Sequence, residues 1–440
     1  MSSPEEMFKI LNIKGYDDLF SDIPDSVKKP LKGIGKGKSE MEITLESESV
    51  GNLNRSDLRI FLGLGAYERY IPAAVGNIIM RNEFITAYTP YQAEISQGML
   101  QALFEYQSII CDLTGMEVTN SSMYDGASGL AEAVRMAYRV NGKSEVLVPE
   151  NIYKNHLDVI RTYATGMPIE IKFYDVNHDG TIDLENLKER VNSSTCAIIT
   201  YNPSTYGTLD PAVPSIGEIK GDALHIAYYD PISLALIISP GEYDADIAVS
   251  EGQQLGIPLN FGGPYLGLFS FKEKYVRKSP GRLIGETLDH NGKRAYVMTL
   301  QTREQHIRRD KAMSNICTNQ ALMALASSVY LSVLGKRGLE YVASKTMENS
   351  RKLISTIDSV HGYRTRKSNN PYFSDIIVDV DSTPDLIFSY LQKNGILGGY
   401  PSNMALNGPS GKNGRSVFFA ATEMTGEEDM EKLKKVLEVF

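Results

Sequence analysis

Cysteine is scarce in this 440-residue chain: Cys111, Cys196 and Cys317 are odd in number and far apart. That pattern excludes a disulfide framework and fits reduced thiols, each expected as a small core side chain. Long apolar runs are missing as well. No stretch approaches the roughly 18 apolar residues of a membrane span, and the start, MSSPEEMFKIL, has no basic segment leading into an apolar one. The expectation is a cytoplasmic protein with no membrane association. Basic residues form no blocks and the formal net charge is −9, so the electrostatic footprint of a nucleic-acid binder is absent. The six histidines include no HExxH or similar spacing, and only His306, in QTREQHIRRD, sits in a dense polar group. A metal site is unsupported.

What is present belongs to a globular chain, 42% hydrophobic and 22% charged. Residues 1–60 read as an N-terminal arm, charged and proline-dotted, with a helical-looking DDLFSDIPDSVKKPL. A helix runs through QALFEYQSIICDLTGM and stops at Gly115, and a second, GLAEAVRMAYRV, follows MYDGAS. Five strand-like runs come next: EVLVP, IEIKFYDV, CAIITYN, LHIAYYD and ADIAVS. Helical stretches between the first three predict βαβ crossovers and a mainly parallel sheet buried on both faces. This large α/β domain spans 61–334. A long helix, NICTNQALMALASSVYLSVLGKRG, with Gly335 near its C-terminal end, leads into a small C-terminal α/β domain, 335–440, with strands DIIVDVD and RSVFFAAT.

Two tempting motifs fail. DVNHDGTIDLEN imitates a calcium loop, but its twelfth position is Asn186 where calcium needs a bidentate Glu, so a strand-to-helix turn is expected. GIGKGKS ends like a phosphate-binding loop, yet Lys32 stands where the first glycine belongs and no strand precedes it.

Two polar constellations stand out. Asp125-Gly126-Ala127-Ser128 opens a helix, a natural anion seat. Asn202 and Asp230 each end a strand, at the sheet edge where open α/β folds bind ligands. The ordered set is similar to fold-type-I enzymes that use pyridoxal 5'-phosphate (PLP), in which a lysine roughly 20 to 30 residues beyond the aspartate forms the Schiff base. Here no lysine occurs from Gly221 to Phe271; the turn VSEGQQLGIPLNFGGPYLG offers Ser250, Glu251, Gln253 and Gln254 instead. The second constellation is the loop ITAYTPYQ, crowded with Tyr88, Thr89, Tyr91 and Gln92 and followed by Glu94 and Gln97. Such loops often line sites, although packing tyrosines would look the same.

The strings FLGLGAYERYIPAAVGNIIMRNEFITAYTPYQAEISQG, EYQSIICDLTGMEVTNSSMYDGASGLAEA, DPISLALIISPGEYDADIAVSEGQQLGIPLNFGGPYLG and LQTREQHIRRDKAMSNICTNQAL carry a resemblance that runs nearly end to end. Together they resemble the P-protein of the glycine cleavage system, glycine dehydrogenase (decarboxylating), and within it the subunit 1 branch of the two-subunit form.

The resemblance implies a fold-type-I PLP-transferase-like large domain whose cofactor lysine resides in subunit 2. Setting the Ile-Pro of GQQLGIP against that of the lysine-bearing subunit places Gln253 at the lysine position, with Gln254 one residue off. Asp125, Gly126, Ala127, Ser128, Asn202, Asp230 and Gln253 then form a vestigial site, and PLP is expected on the partner. An α2β2 heterotetramer is implied, with glycine as substrate and the lipoyl arm of H-protein as acceptor of the aminomethyl group. Tyr88, Thr89, Tyr91 and Gln92 are the candidates for a shared active site, and no catalytic group is expected in cis. Two other readings stay open: a non-catalytic scaffold or regulatory subunit, and a stand-alone PLP enzyme with an off-register lysine such as Lys272 or Lys311.

Overall fold

The computed structural model of the chain describes residues 3–29, 35–87, 89–316, 318–408 and 415–440. The chain divides after Asp57 into two units. In the first, helices Pro4–Leu11 and Glu40–Gly51 each open with a capping box, Ser3 with Glu6 and Ser39 with Glu42. Neither helix buries a residue. DDLFSDIPDSVKKPL forms a 3-10 turn over Tyr16–Phe20 rather than the expected helix, because Pro24 has no N–H with which to continue one. Of GIGKGKS, residues 33 and 34 lie outside the described residues; Ser39 serves as the helix cap.

The second unit, Leu58–Phe440, is built on a seven-stranded sheet. Its strands lie in the order Val118–Thr119, Gly267–Phe271, Ile247–Glu251, Leu224–Tyr229, Thr195–Asn202, Glu145–Pro149 and Glu170–Tyr174. Only Gly267–Phe271 runs against the others. The five runs expected as strands all lie in this sheet, and the two at its first edge are additions to that expectation. Period-2 alternation explains the double burial. Val146, Val148, Ala197, Ile199, Ile247 and Val249 pack with Leu130, Val134 and Leu157 of the helices Gly126–Asn141 and Lys154–Ala164. The intervening Leu147, Ile198, Ala227 and Ala248 fill the cores on the other face.

Helix Gln97–Thr114 stops where Gly115 takes φ 67, as expected for a C-terminal glycine. The 38-residue helix Ala321–Asp358 is broken at Gly335, whose φ of 57 and ψ of −175 no other residue type adopts cheaply. Before the break, Ala324, Tyr330 and Leu331 pack on Leu100, Leu103 and Tyr106. After it, Leu353 and Ile357 join an antiparallel sheet ordered Tyr363–Thr365, Asp375–Val380, Ser416–Ala420, Tyr400–Pro401. DIIVDVD and RSVFFAAT are its central pair. Residues Arg59–Ile60, read from sequence as the end of the arm, pair in parallel with Ile396–Leu397 of this C-terminal region.

The calcium-loop lookalike closes as a turn through the bridge Val176–Ile182, with Asp179 accepting from Thr181 and Ser368. Cys196 is buried, Cys111 shares a hydrogen bond with the Thr119 hydroxyl, and Cys317 lies outside the described residues. Among the described residues no helix is long and apolar enough to cross a membrane. Nor does any group of three or more His, Cys, Asp or Glu stand ready to hold a metal ion.

Candidate functional site

Strand Leu224–Tyr229 delivers Asp230, and strand Ile247–Glu251 delivers Glu251, to the carboxyl edge of the sheet. Facing them is the N-terminus of helix Gly126–Asn141. Asp125 caps it, accepting from Ser128 N at 2.7 Å, while Ser128 Oγ accepts from Asp125 N at 3.1 Å. Gly126 N donates to Glu251 Oε2 at 2.9 Å, and Glu251 Oε1 accepts from Gln253 N and Leu266 N at 3.0 and 3.2 Å. The chain's own carboxylate thus sits where the helix dipole would favour a bound anion. A Cβ at Gly126 would stand 2.6 Å from Tyr228 Oη and 3.0 Å from Glu251 N, so this approach requires glycine. Burial raises the Glu251 carboxyl to about 7, against the lowering effect of its backbone donors.

Asp230 is equally occupied. Its Oδ1 accepts from Ile232 N and Ser233 N at 2.9 and 2.8 Å, and its Oδ2 accepts from Gln254 Nε2 at 2.6 Å. Gln254 Oε1 in turn accepts from Arg69 Nε and Nη2 at 3.0 and 2.6 Å. Arg69, itself buried, continues to Thr346 at 2.7 Å and Glu423 at 2.6 Å. Gln253, buried at 1% exposure, clamps a different strand of chain. It accepts from Tyr67 N at 2.8 Å and donates to Tyr67 O and Ile257 O at 3.0 and 2.8 Å. Tyr67 Oη donates to Asp375 Oδ2 at 2.5 Å, and Leu64 N donates to Asp375 Oδ1 at 3.1 Å. Burial lifts the Asp375 carboxyl to about 6, despite those two donors.

What remains open is a cavity of about 40 Å³, lined by Tyr67, Tyr153, Tyr228, Asp230, Glu251 and Asp375 among others, with no lysine in its wall. Of the residues singled out from sequence, Asp125, Gly126, Ser128, Asp230 and Gln253 come together around this cavity through Glu251, Gln254 and Tyr67. Ala127, half-buried in the same first turn, makes no side-chain hydrogen bond. Asn202 turns away: its amide exchanges hydrogen bonds with the Asp210 backbone at 3.1 and 3.3 Å.

The ITAYTPYQ loop forms a second cluster. Tyr88 lies outside the described residues. Tyr91 Oη accepts from Arg282 Nη2 at 2.7 Å, with the guanidinium 5.0 Å from the tyrosine ring centroid, and Thr89 Oγ1 stands 3.5 Å from Nη1. Glu304, 3.5 Å from both Arg282 and His306, closes the group. Gln92 and Glu94 are exposed, and Gln97 anchors the loop by bonding both ways to the Tyr296 backbone at 2.9 Å.

Arg69, Tyr67 and Asp375 carry no local signal, because their partners lie hundreds of positions away. Glu251 and Gln254 stood in the notable turn, where their type was visible but their target was not.

A mainly parallel sheet with the site at its carboxyl edge, followed by a small antiparallel domain, is the fold of the fold-type-I PLP-dependent enzymes. A C-DES variant with glycine linked to its PLP cofactor shares it at TM-score 0.64 and 12% identity, over 88% of this chain and 97% of that one. More narrowly, residues 2–437 match the Glycine cleavage system P-protein family, and the chain belongs to it. A relative from Thermoplasma acidophilum, described as probable glycine dehydrogenase (decarboxylating) subunit 1, is 50% identical over 434 residues, 99% of each chain. A crystal structure of glycine decarboxylase (P-protein) of the glycine cleavage system, in inhibitor-bound form, is 35% identical at TM-score 0.88. It covers 100% of this chain and 98% of that one.

Proposed function

We propose that this chain is the PLP-lacking subunit of a heteromeric glycine decarboxylase. With subunit 2, in an α2β2 heterotetramer of the cytoplasm, it decarboxylates glycine, and the aminomethyl group passes to the lipoyl arm of H-protein. The observation that carries the reading is Glu251 in the anion seat of helix Gly126–Asn141, with Gln254 on Asp230 beside it. The residues present do not fit PLP. A phosphate would meet the Glu251 carboxylate, a pyridine nitrogen would find Asp230 taken, and Gln253 stands at the lysine position. PLP, which acts as the electron sink in this chemistry, is therefore assigned to subunit 2.

An off-register lysine in this chain is disfavoured. Ile247 pairs with Phe271 and Glu251 with Gly267, so the antiparallel strand carries Lys272 to the opposite end of the sheet from Asp230. There it is held by Asp244 and Asp246 at 2.8 and 3.2 Å. Lys311 is exposed in the turn Arg309–Lys311.

For its part, this chain contributes the Thr89–Gln92 loop, held by Arg282, to a site shared with subunit 2. Loss of CO2 calls for an oriented carboxylate in a water-poor setting, which a loop from a second subunit supplies. The test is reconstitution. The isolated chain, incubated with PLP and dialysed, is expected to show no aldehyde-adduct band and no borohydride-trapped peptide, and glycine-dependent CO2 exchange is expected only with both subunits. A trapped peptide on this chain overturns the reading, and full activity of subunit 2 alone leaves the scaffold reading ahead.

A further inference from the structure

We infer that His306, beside Tyr91, is the group of this chain that binds the carboxylate of glycine, an inference that rests on the shared-site reading of the Thr89–Gln92 loop. His306 lies in the run QTREQHIRRD, whose backbone is strained near both ends. Leu300 takes φ 53 and ψ 31, and Arg309 takes φ 53 and ψ −121, conformations that cost any residue with a Cβ. Such strain persists only where the surrounding structure imposes it, and it gathers where a side chain is held for use. Arg303 anchors the run. Its Nε donates to Leu300 O at 3.2 Å, its Nη1 to the carbonyl and hydroxyl of Ser279, and its Nη2 to Gly281 O at 3.1 Å. The run is thereby tied to the residues that precede Arg282, the guanidinium that holds Tyr91.

Two loops thus build one face. The ring centroids of Tyr91 and His306 are 6.1 Å apart, edge to face. Glu304 Oε2 is buried and stands 3.5 Å from His306 Nδ1, while the imidazole is 44% exposed. The acid therefore lies behind the ring, which leaves Nε2 for a ligand; a histidine oriented through one nitrogen serves its ligand through the other. The charge around this ring is mostly of one sign. Arg308, Arg309 and Lys311 are exposed against Asp310 alone, and no ion pair holds any of the four among the described residues. On a chain of net charge −9, such a local excess of cations draws an anion. Of the polar groups of glycine the carboxylate is the anion, and its orientation governs the loss of CO2. A hydrogen bond from an imidazole N–H, with basic side chains at the rim, binds and orients it.

The test is calorimetric titration of the complex reconstituted with subunit 2, using glycine and, as its counterpart without a carboxylate, methylamine. His306→Phe keeps a ring against Tyr91 and has no N–H. It is expected to raise the Kd for glycine at least about tenfold and to leave that for methylamine within about twofold. His306→Gln, which restores a donor, is expected to recover part of the loss. Tm and subunit stoichiometry should match wild type in both variants, since the substituted ring is exposed. Equal loss for the two ligands, a Gln variant no better than Phe, or a complex that dissociates would overturn the inference. Glycine binding that is tighter in the complex than in subunit 2 alone, yet unchanged by His306→Phe, would overturn this inference only. Binding by subunit 2 alone as tight as by the complex would overturn the shared-site reading along with it.

Discussion

Gln254 separates Arg69 from Asp230: its Nε2 donates to the aspartate at 2.6 Å while its Oε1 accepts from the guanidinium at 2.6 and 3.0 Å. Only this amide orientation serves both partners, since a guanidinium cannot accept and a carboxylate cannot donate. Because Arg69 continues to Thr346 and Glu423, one neutral side chain ties the sheet edge to the C-terminal region. Gln254→Ala is therefore expected to destabilise the chain by about 2–4 kcal/mol, the penalty for stripping a partner from a buried guanidinium and a carboxylate together. Urea unfolding reads this as a lower midpoint at unchanged slope. A loss under about 0.5 kcal/mol would mean that water replaces the amide freely.

Glu251 gives a pH signature. Folding raises its carboxyl from 4.5 to about 7, so the native state holds the proton more tightly than the unfolded chain. Its contribution to stability is complete below the unfolded value and is lost as pH rises through about 7. His156 and His225, held down to about 3 by burial, act in the opposite sense, losing stability as pH falls below 6.5. Above that value they are neutral in both states and drop out. From about pH 6.5 upward stability should decline with a slope that is below about 1.4 kcal/mol per pH unit and fades out above the folded value, and Glu251→Gln should flatten the decline. Parallel profiles for the two proteins would rule out Glu251 as the source.

How far the fold and site could be read in advance follows from range. The five parallel strands are dense in β-branched and aromatic residues, and Gly115 punctuates a periodic run, so local physics announced them. The hairpin Leu283–Leu288 with Arg294–Thr299 also had a local cue, since Asn291-Gly292 lies at its turn and Gly292 takes φ 75. The break in the long helix fell at the glycine already marked in the pattern. Asp230 and the helix N-terminus were legible because order along a parallel sheet places strand ends at one edge, whereas Gln253 was singled out only through the resemblance. Glu251's role was not, because its target, Gly126 N, is 125 positions away and nothing local selects it. Tyr67 with Asp375, 308 positions apart, is the same case.

The arm makes a third prediction. Helix Pro4–Leu11 buries nothing, and Ile10 at 80% and Leu53 at 82% exposure are two of many large apolar side chains that residues 3–57 leave in water. An exposed apolar surface of this kind marks a place that another surface covers. Deleting residues 1–57 should leave the melting temperature of the remainder within about 2 °C of the full chain but abolish co-elution with subunit 2. Intact assembly of the truncated chain would sink the idea.

The last prediction concerns Tyr91. Its ring is 47% exposed while its hydroxyl accepts from Arg282, a residue buried beside Glu304. That arrangement suits a group whose position is held by Arg282 while about half of its surface stays within reach of a partner or substrate. Removing the hydroxyl takes one acceptor from a guanidinium that keeps Glu304, so the fold should lose at most about 1 kcal/mol. If the Thr89–Gln92 loop lines a shared site, its orientation matters far more to catalysis than to stability. Tyr91→Phe in the reconstituted complex is expected to lower kcat/KM for glycine decarboxylation at least about tenfold, which corresponds to roughly 1.4 kcal/mol of transition-state stabilisation. Subunit stoichiometry and Tm should stay near wild type. Wild-type turnover, or a complex that dissociates before activity falls, would instead make this loop packing and favour the scaffold reading of the chain.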